Sequence, residues 1–486
     1  MRVAYVTGMH PARLRNGTEI ATTMVVQGLA ELGHDVVVAG YARPDDAPAF
    51  PANSIVIDRR PIEFSEARRI DKLAWVAEAV LRNEPLSVAK YRRPGRVEDL
   101  RVEIAKGVDA ILVDKPQIAA LFEHEFGAAP LSVVWHAIEH QTYAAVAEEL
   151  SGLGRLVYRR EARLSLKIVR DMLARVSHVF CLTEADARSL GSLGYPGPLD
   201  VLPMTFPTDG RAASSRCDEF RFDIGLLGNW TWSANASGLA WFLRHVVPKF
   251  PNATVAIGGA AAASIAPEVT SVTRISDVAE AREFLGQCRA VAIPVNAGTG
   301  VSMKVLEAAS TGWPTVTTPI GARGIDDLPD NVEVANSATE FAEALRHAVQ
   351  IGRAQRTEWG AAGRRWMEAR RASFRAALAS GLNHLALQAE PRPPPPYPQA
   401  EAQGRQLGRL RRQPAPARQP DGLVHRGGGR GLAGGAAHDG RWPGLVFAPG
   451  DPDRADPTGR VPSGAAPDRG SDRLHHRPAW PDAAGA

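Results

Sequence analysis

Residues 292–325 read AIPVNAGTGVSMKVLEAASTGWPTVTTPIGARGI. The apolar run at the start predicts a buried strand that ends at Pro294, and a helix is predicted to begin near Ser302. Glycines in the loop between them let the backbone approach a ligand closely, and the free N–H groups at a helix start attract anions. This strand–loop–helix unit is therefore typical of an α/β domain that binds phosphate groups.

Two side chains of the predicted helix indicate what the ligand is. Lys304 and Glu307 are three residues apart, so they share one face of the helix. A lysine neutralises a compact phosphate charge, and a carboxylate accepts hydrogen bonds from two hydroxyl groups. Together they predict a nucleoside diphosphate site with the ribose beside Glu307. The same two residues also fit an ordinary surface ion pair on a strand–loop–helix unit.

The alternation of strand and helix extends over most of the chain and starts afresh in its second half. Short apolar runs separated by helices predict parallel sheets that are covered on both faces. We therefore predict an α/β fold with two Rossmann-like domains, at residues 1–200 and 201–385. The runs read as strands are 2–8, 35–41, 108–114, 131–137 and 178–184, then 222–229, 253–259, 290–295 and 314–319.

Composition limits the class of protein. The chain has 486 residues, of which 44% are hydrophobic, as is ordinary for a globular protein. Its three cysteines, Cys181, Cys217 and Cys288, are widely spaced and odd in number, which argues against a disulfide framework and a zinc cluster. We find no signal peptide and no apolar run near the roughly 18 residues that cross a bilayer. The expected location is the cytoplasm.

The positive charge is confined to the last part of the sequence. Residues 391–486 carry 14 arginines and no lysine against nine acidic residues, so the net charge of +4 arises there and the preceding residues are nearly neutral. A general basic surface for nucleic acid is therefore not expected. Residues 390–486 are crowded with Pro, Arg, Gly and Ala, which predicts disorder. They are either a proline-rich docking arm or a GC-rich gene read out of frame, and resequencing the gene around codon 390 separates the two.

Residues 298–325 resemble the donor-binding signature of the GT-B glycosyltransferases of family 4. That signature reads G-x-G-x-x-x-K-x-x-E-A, then G-x-P-V-V-x-T and G-x-x-G. The resemblance implies that Glu307 holds the donor ribose and that the diphosphate lies on Lys304 and on the amides of 300–302. Many members carry another glutamate at the position of Thr299. A subgroup with G-T-G or G-G-G lacks that glutamate, as this sequence does. The implied donor-binding residues of this loop are Gly298, Thr299, Gly300, Val301 and Ser302.

The first half contains two further segments of this kind. Residues 10–38 resemble the family's glycine loop and first helix, with Gly17 and Thr18 at the usual double glycine. A plain Rossmann turn gives the same pattern. Residues 133–143, VVWHAIEHQTY, resemble the H-N-I-E-H-x-Y-Y segment of a bacterial subgroup. The resemblance implies that His136 faces the donor sugar.

Residues near His136 are also candidates. Glu139 and His140 are expected either to contact the acceptor or to orient His136. Two histidines could bind a metal, but a third ligand is lacking in this segment, so no metal is expected at the site.

The second half adds candidates for the donor. Residues 224–248 resemble the opening of the family's second domain, which implies a donor contact for Asn229. One of Trp230 and Trp232 is expected to pack in the core. Ser276 lies in the segment that resembles the loop binding the nucleotide base.

The resemblance as a whole implies a GT-B fold with a donor crevice between two facing domains. It implies a retaining, metal-independent glycosyltransferase that uses a nucleoside diphosphate sugar as co-substrate and no other cofactor. The expected acceptor is a hydroxyl group, with a lipid-linked glycan in surface polysaccharide assembly as the first candidate. The alternatives are a GT-B-fold sugar-nucleotide epimerase and a non-catalytic nucleotide-sugar-binding protein.

Three helical segments complete the expectations. The helix at about 153–175 has seven basic residues against two acidic ones, which predicts either a solvated face or peripheral contact with the inner face of the membrane. Asp186 is expected to cap the helix that follows it. Residues 359–382 are expected to form the helix that returns to brace the first domain.

Overall fold

The computed structural model describes residues 1–11, 16–46, 53–64, 67–92, 95–207, 220–264, 272–298 and 300–388. Cys217, Thr299 and the tail at 390–486 lie outside the described residues, so the expectations for them stay predictions. Within the described ranges, no helix is both long and apolar enough to cross a membrane.

The first sheet has seven parallel strands in the order β3-β2-β1-β4-β5-β6-β7. The order reverses between β1 and β4, and open parallel sheets bind ligands at the carboxyl ends of the strands beside such a reversal. The strands are β1 Arg2–Thr7, β2 Asp35–Ala42, β3 Ser54–Arg59, β4 Ala110–Asp114, β5 Leu131–Trp135, β6 His178–Cys181 and β7 Leu199–Val201. The helices are α1 Gly17–Glu31, α2 Arg69–Leu81, α3 Leu86–Ala89, α4 Val97–Ala105, α5 Pro116–Phe122, α6 Glu139–Glu149, α7 Gly152–Leu173 and α8 Glu184–Ser192.

The second sheet has six parallel strands in the order β10-β9-β8-β11-β12-β13. The strands are β8 Phe222–Leu227, β9 Val255–Gly258, β10 Val272–Ile275, β11 Cys288–Ile293, β12 Thr315–Thr317 and β13 Val332–Val334. The helices are α9 Ser233–His245, α10 Ala281–Gly286, α11 Met303–Thr311, α12 Ala338–Ala348 and α13 Arg353–Gln388. The predicted fold class, α/β with two parallel sheets, is confirmed.

Burial explains why the strands are apolar throughout. Every residue of β4 and of β5 is buried, because helices cover both faces of the sheet. Cys181 and Cys288 are buried free thiols, as expected of small hydrophobic residues in these strands. Burial raises the pKa of Cys288 to about 12, so this thiol stays protonated and unreactive near neutral pH.

The last helix, α13, has 36 residues and returns to the first sheet. It contacts α11 on the one side and α1, β6 and β7 on the other. Phe374 and Leu378 pack against Gly28 of α1, and Arg375 donates a hydrogen bond of 3.1 Å to Glu31. The predicted bracing helix is therefore confirmed.

The expected role of Asp186 was wrong. Thr183 caps α8, because its Oγ1 accepts a hydrogen bond of 3.0 Å from the backbone N–H of Asp186. The Asp186 carboxylate instead accepts a hydrogen bond of 2.9 Å from Arg323. This ion pair joins the first half of the chain to the loop after β12.

Candidate functional site

The glycine loop that precedes α11 reaches the end of β5 in the first sheet. Gly298 and Gly300 have φ values of 126° and 86°, which favour glycine. A Cβ atom at Gly300 would lie 2.5 Å from the carbonyl oxygen of His136, so only glycine permits this approach. The structure thus brings together the glycine loop and His136, two predicted sites that are far apart in sequence.

The starts of α1 and α11 also meet. A Cβ atom at Gly17 would lie 3.2 Å from Cγ of Met303, the first residue of α11. Thr18 follows in the first turn of α1 and is half-buried. Ser302 precedes α11 and makes no capping hydrogen bond with its side chain, so the first amides of α11 are available to an anion.

Lys304 is held beside a cleft by a neutral partner. Its Nζ donates a hydrogen bond of 3.0 Å to Oδ1 of Asn235 and lies 5.7 Å from the centre of the Trp230 ring. Burial lowers the pKa of Lys304 to about 8. Among the described residues no carboxylate forms an ion pair with it, so its charge is available to an anionic ligand.

A small open cleft lies beside Lys304. It lies between the ends of β8 and β11 and the start of α11, where the Rossmann arrangement places a ligand. Its lining residues are Leu227, Trp230, Asn235, Ala292, Ile293, Pro294, Val295 and Lys304.

Glu307 faces a cation that the sequence analysis missed. Nε of Arg282, on α10, lies 3.7 Å from Oε1 of Glu307, and both side chains are largely buried. Arg282 also donates a hydrogen bond of 3.2 Å to the carbonyl of Pro207. Arg282 therefore keeps the Glu307 carboxylate in place. It belongs to α10, which follows the expected base-binding loop.

The loop after β8 is held by its own hydrogen bonds. Oδ1 of Asn229 accepts bonds from the backbone N–H and the hydroxyl of Thr231, at 3.0 and 2.7 Å. The Asn229 carbonyl accepts a bond of 2.8 Å from Asn235, the partner of Lys304. Trp230 is the tryptophan that packs in the core, and its Nε1 donates to Gly258, whereas Trp232 is 58% exposed.

Ser276 lies on the loop after β10, and its Oγ accepts a hydrogen bond of 3.1 Å from the N–H of Ala263. The bond ties together the loops that follow β9 and β10. These loops are at the carboxyl edge of the second sheet, on the side of β8 opposite to the glycine loop. The donor contacts expected of Asn229 and Ser276 stay predictions.

His136 is oriented by Asp114, a residue that the sequence analysis did not single out. The ring Nε2 lies against the Asp114 carboxylate at the carboxyl end of β4. Thr7 and Thr22 donate hydrogen bonds of 2.8 and 2.9 Å to the same carboxylate. Burial raises the pKa of Asp114, but His136, Lys115 and Thr7 outweigh it, and the pKa lies below its usual value. Asp114 is therefore an ionised anchor for the ring.

Glu139 and His140 lie at the start of α6, next to this pair. Glu139 accepts a hydrogen bond from Nε2 of Gln117 on α5, so it is held by α5 and not by His136. Nδ1 of His140 has no hydrogen-bond partner among the described residues. Burial and the charge of Arg170 lower the pKa of His140, so the ring is neutral at pH 7. The acceptor contacts expected of both residues stay predictions.

A buried ion cluster supports the start of α1. Glu19, in the first turn, is fully buried and accepts a hydrogen bond of 2.7 Å from Arg43. Arg43 has 2% of its side chain exposed and also pairs with Glu63. Burial alone would lower the pKa of Arg43, but the bonds to Glu63 and Glu19 raise it overall. These charges fix the turn that carries Gly17 and Thr18.

Comparison with known proteins agrees with this architecture. Residues 221–350 match the family described as Glycosyl transferases group 1. No curated protein matches the sequence. Among solved structures, sucrose-phosphate synthase from Thermosynechococcus elongatus has a TM-score of 0.54 at 13% identity, and the match covers 80% of this chain and 97% of that chain.

Two other similar structures hold nucleotides. Trehalose-6-phosphate from E. coli, bound with UDP-2-fluoro glucose, has a TM-score of 0.52 at 10% identity, with coverage of 79% of this chain and 99% of that chain. The Anabaena protein HepE in complex with UDP has a TM-score of 0.50 at 13% identity, with coverage of 79% and 100%. At these identities the likeness establishes the fold, which is the GT-B fold of glycosyltransferases, as predicted.

Proposed function

We propose that the protein is a glycosyltransferase that moves a sugar from a nucleoside diphosphate sugar to a hydroxyl acceptor. The observation that carries this proposal is the meeting of the glycine loop, Lys304 and His136 at the carboxyl ends of both sheets. Among the described residues, Lys304 has a neutral hydrogen-bond partner and no carboxylate partner, and it lies beside the first amides of α11. A site formed by a lysine and helix amides stabilises a negatively charged ligand, and it does so more strongly as negative charge builds up on that ligand during the reaction.

The leaving diphosphate would lie on the amides at the start of α11, with Lys304 beside it. The bond between the sugar C1 and the phosphate oxygen breaks, and its electron pair stays on the diphosphate. Helix amides and Lys304 stabilise this charge, while the sugar takes on oxocarbenium character. The first amides of α1 approach the same position.

The acceptor oxygen then forms the new bond to C1. We propose that its proton passes to an oxygen of the departing phosphate, which would retain the anomeric configuration. His136, whose Nε2–H faces the Asp114 carboxylate, would accept a hydrogen bond from a sugar hydroxyl at Nδ1 and so orient the sugar. The ribose diol would donate hydrogen bonds to Glu307, whose ionised form Arg282 stabilises.

A donor panel tests this function. The stability of the protein is measured by differential scanning fluorimetry with UDP-, GDP-, ADP- and dTDP-sugars, beginning with UDP-glucose because similar structures hold UDP compounds. A donor at 100 times its Kd stabilises the fold by about 2.7 kcal/mol. We expect the shift in Tm from one donor class to disappear in Glu307→Ala.

The matched control is Glu333→Ala, since Glu333 is an exposed glutamate of β13. It should keep the full donor shift. A folded protein that responds to no donor would contradict the proposal. Radiolabelled donor then separates the alternatives, because transfer to an acceptor, conversion to an epimeric donor and binding alone give different products.

We further propose that the acceptor is membrane-linked and that the protein contacts an anionic membrane peripherally from the cytoplasmic side. Helices α2 and α7 are neighbours, since Arg160 donates a hydrogen bond of 2.8 Å to the carbonyl of Ala79. Both expose large apolar side chains next to basic ones, a combination that favours anionic lipid surfaces. The exposed apolar residues are Ile70, Leu73, Val76, Val80 and Leu81 on α2 and Leu153, Leu156 and Val157 on α7.

Vesicle sedimentation tests this contact. We expect binding to vesicles that contain phosphatidylglycerol and little binding to pure phosphatidylcholine vesicles. Leu81, which is 81% exposed, should tolerate Leu81→Glu without loss of folding, and this change should lower the bound fraction several-fold. Leu387→Glu, at a residue 85% exposed on α13, is the control and should bind as the unchanged protein does. Equal binding to both lipids, or an unaffected Leu81→Glu, would refute the contact.

A further inference from the structure

A second polar cluster lies far from the donor cleft, at the other end of the first sheet. His178 is the first residue of β6, and Asp200 is in the middle of β7. The register pairs Ser132 with His178 and Phe180 with Asp200. Because side chains alternate along a strand, all four point to the same face of the sheet.

Helix α13 brings a third ligand-type side chain to this face. A Cβ atom at Gly381 would lie 2.6 Å from Cε1 of His178 and 2.3 Å from Cζ of Phe180. Only glycine therefore lets α13 lie so close to β6. One turn later, His384 stands over the same place, with its ring 5.8 Å from that of His178 and nearly parallel to it, at 18°.

The ligand atoms of the three residues converge. Nε2 of His178 lies 2.9 Å from Oδ2 of Asp200, and Nδ1 of His384 lies 3.9 Å from the same oxygen. All three ligand atoms are within 4.8 Å of one another. Two ligand atoms bound to one tetrahedral zinc ion are roughly 3.4 Å apart. Small side-chain rotations would therefore convert the cluster into a coordination sphere.

We propose that His178, Asp200 and His384 bind a divalent transition-metal ion of the zinc type. The three side chains supply Nε2, a carboxylate oxygen and Nδ1, a ligand set that zinc accepts. Oγ of Ser132 lies 3.3 Å from Nδ1 of His178. With a metal ion on Nε2, the proton of His178 would lie on Nδ1 and be donated to this hydroxyl, as outer hydrogen bonds do in zinc sites. Solvent supplies the fourth ligand, because 46% of the His384 side chain is exposed.

The ion would have a structural role. His178 stands at the amino end of β6, whereas His136 and the donor cleft lie at the carboxyl ends of the strands. The metal would join α13 to the first sheet and would take no part in sugar transfer. The simpler reading of the same geometry is a hydrogen-bonded His178–Asp200 pair with His384 nearby.

Metal titration of the full chain decides between these readings. The protein is first treated with a chelator and freed of it, and then Zn²⁺ is added while calorimetry and Tm are followed. We expect one ion bound, a higher Tm, and the visible absorption of tetrahedral cobalt when Co²⁺ replaces Zn²⁺. His384→Ala should lower the zinc affinity at least tenfold and abolish the cobalt band.

His384 is the residue to replace, since it is partly exposed and its loss should leave the hydrogen bond between the buried His178 and Asp200 intact. His347→Ala removes an exposed histidine from α12 and should bind zinc as the unchanged protein does. Zinc bound by histidines elsewhere in the chain would be the same in His384→Ala and in the unchanged protein, so the difference between the two reports on this cluster. No zinc response, or an equal response in His384→Ala and the unchanged protein, would overturn the proposal.

Discussion

Replacing Lys304 with alanine is expected to lower kcat for sugar transfer by roughly 100- to 1,000-fold, the usual cost of removing one group that stabilises developing charge. The side chain donates to Asn235 and has no carboxylate partner among the described residues, so its charge is directed toward the ligand. Initial rates with the donor found in the panel measure the effect. Lys249→Ala, at an exposed lysine of the same domain, should keep normal rates.

The pKa of Lys304 gives this prediction a pH signature. Burial lowers the pKa to about 8, so the free protein loses this charge as the pH rises through that value. Donor affinity should therefore be highest below pH 8 and should fall above it. Lys304→Arg stays charged over this range and should show a flat profile. An equally steep fall in Lys304→Arg would mean that another group titrates.

Replacing Arg43 with methionine is expected to lower the free energy of unfolding by about 3–5 kcal/mol, because it removes the buried guanidinium that pairs with both Glu19 and Glu63. Glu19 is fully buried and 2.7 Å from Arg43, and Glu63 has a quarter of its side chain exposed. Urea unfolding measures the change. The double variant Arg43→Met, Glu19→Gln should recover part of the loss, since it also removes the buried negative charge that Arg43 balances.

The control for this prediction is an ion pair at the surface. Arg375 lies 3.1 Å from Glu31, and both side chains are more than 40% exposed. Arg375→Ala should cost less than about 1 kcal/mol. If Arg43→Met cost no more than Arg375→Ala, the cluster would not stabilise the start of α1.

The fold and the central residues of the candidate site could be predicted because their signals are local. Lys304 and Glu307 share a helix face as a consequence of helical periodicity alone. Apolar strands that alternate with helices likewise specify parallel sheets. His136 was singled out because it follows a buried strand and lies in a segment that resembles one of the family, which implies that it faces the donor sugar.

The partners of these residues could not be predicted in the same way. Asn235 is 69 residues from Lys304, and only the folded second domain brings the start of α9 next to the start of α11. Asp114 ends β4, and its meeting with His136 depends on β4 and β5 being adjacent in the sheet. For Asp186 the local signal was misleading. Its position predicted a helix cap, but its carboxylate pairs with Arg323, 137 residues further along the chain.

The return of α13 also dictates when the first domain can be completed during synthesis. Arg375 and Glu31, which touch across this packing, are separated by 344 residues. At ordinary translation rates the ribosome needs on the order of tens of seconds to make that length of chain. During this interval the face of α1 at Gly28, and later Phe180 and His178 once β6 has been made, lack the helix that covers them. The nascent first domain therefore presents an apolar surface to chaperones until α13 leaves the ribosome.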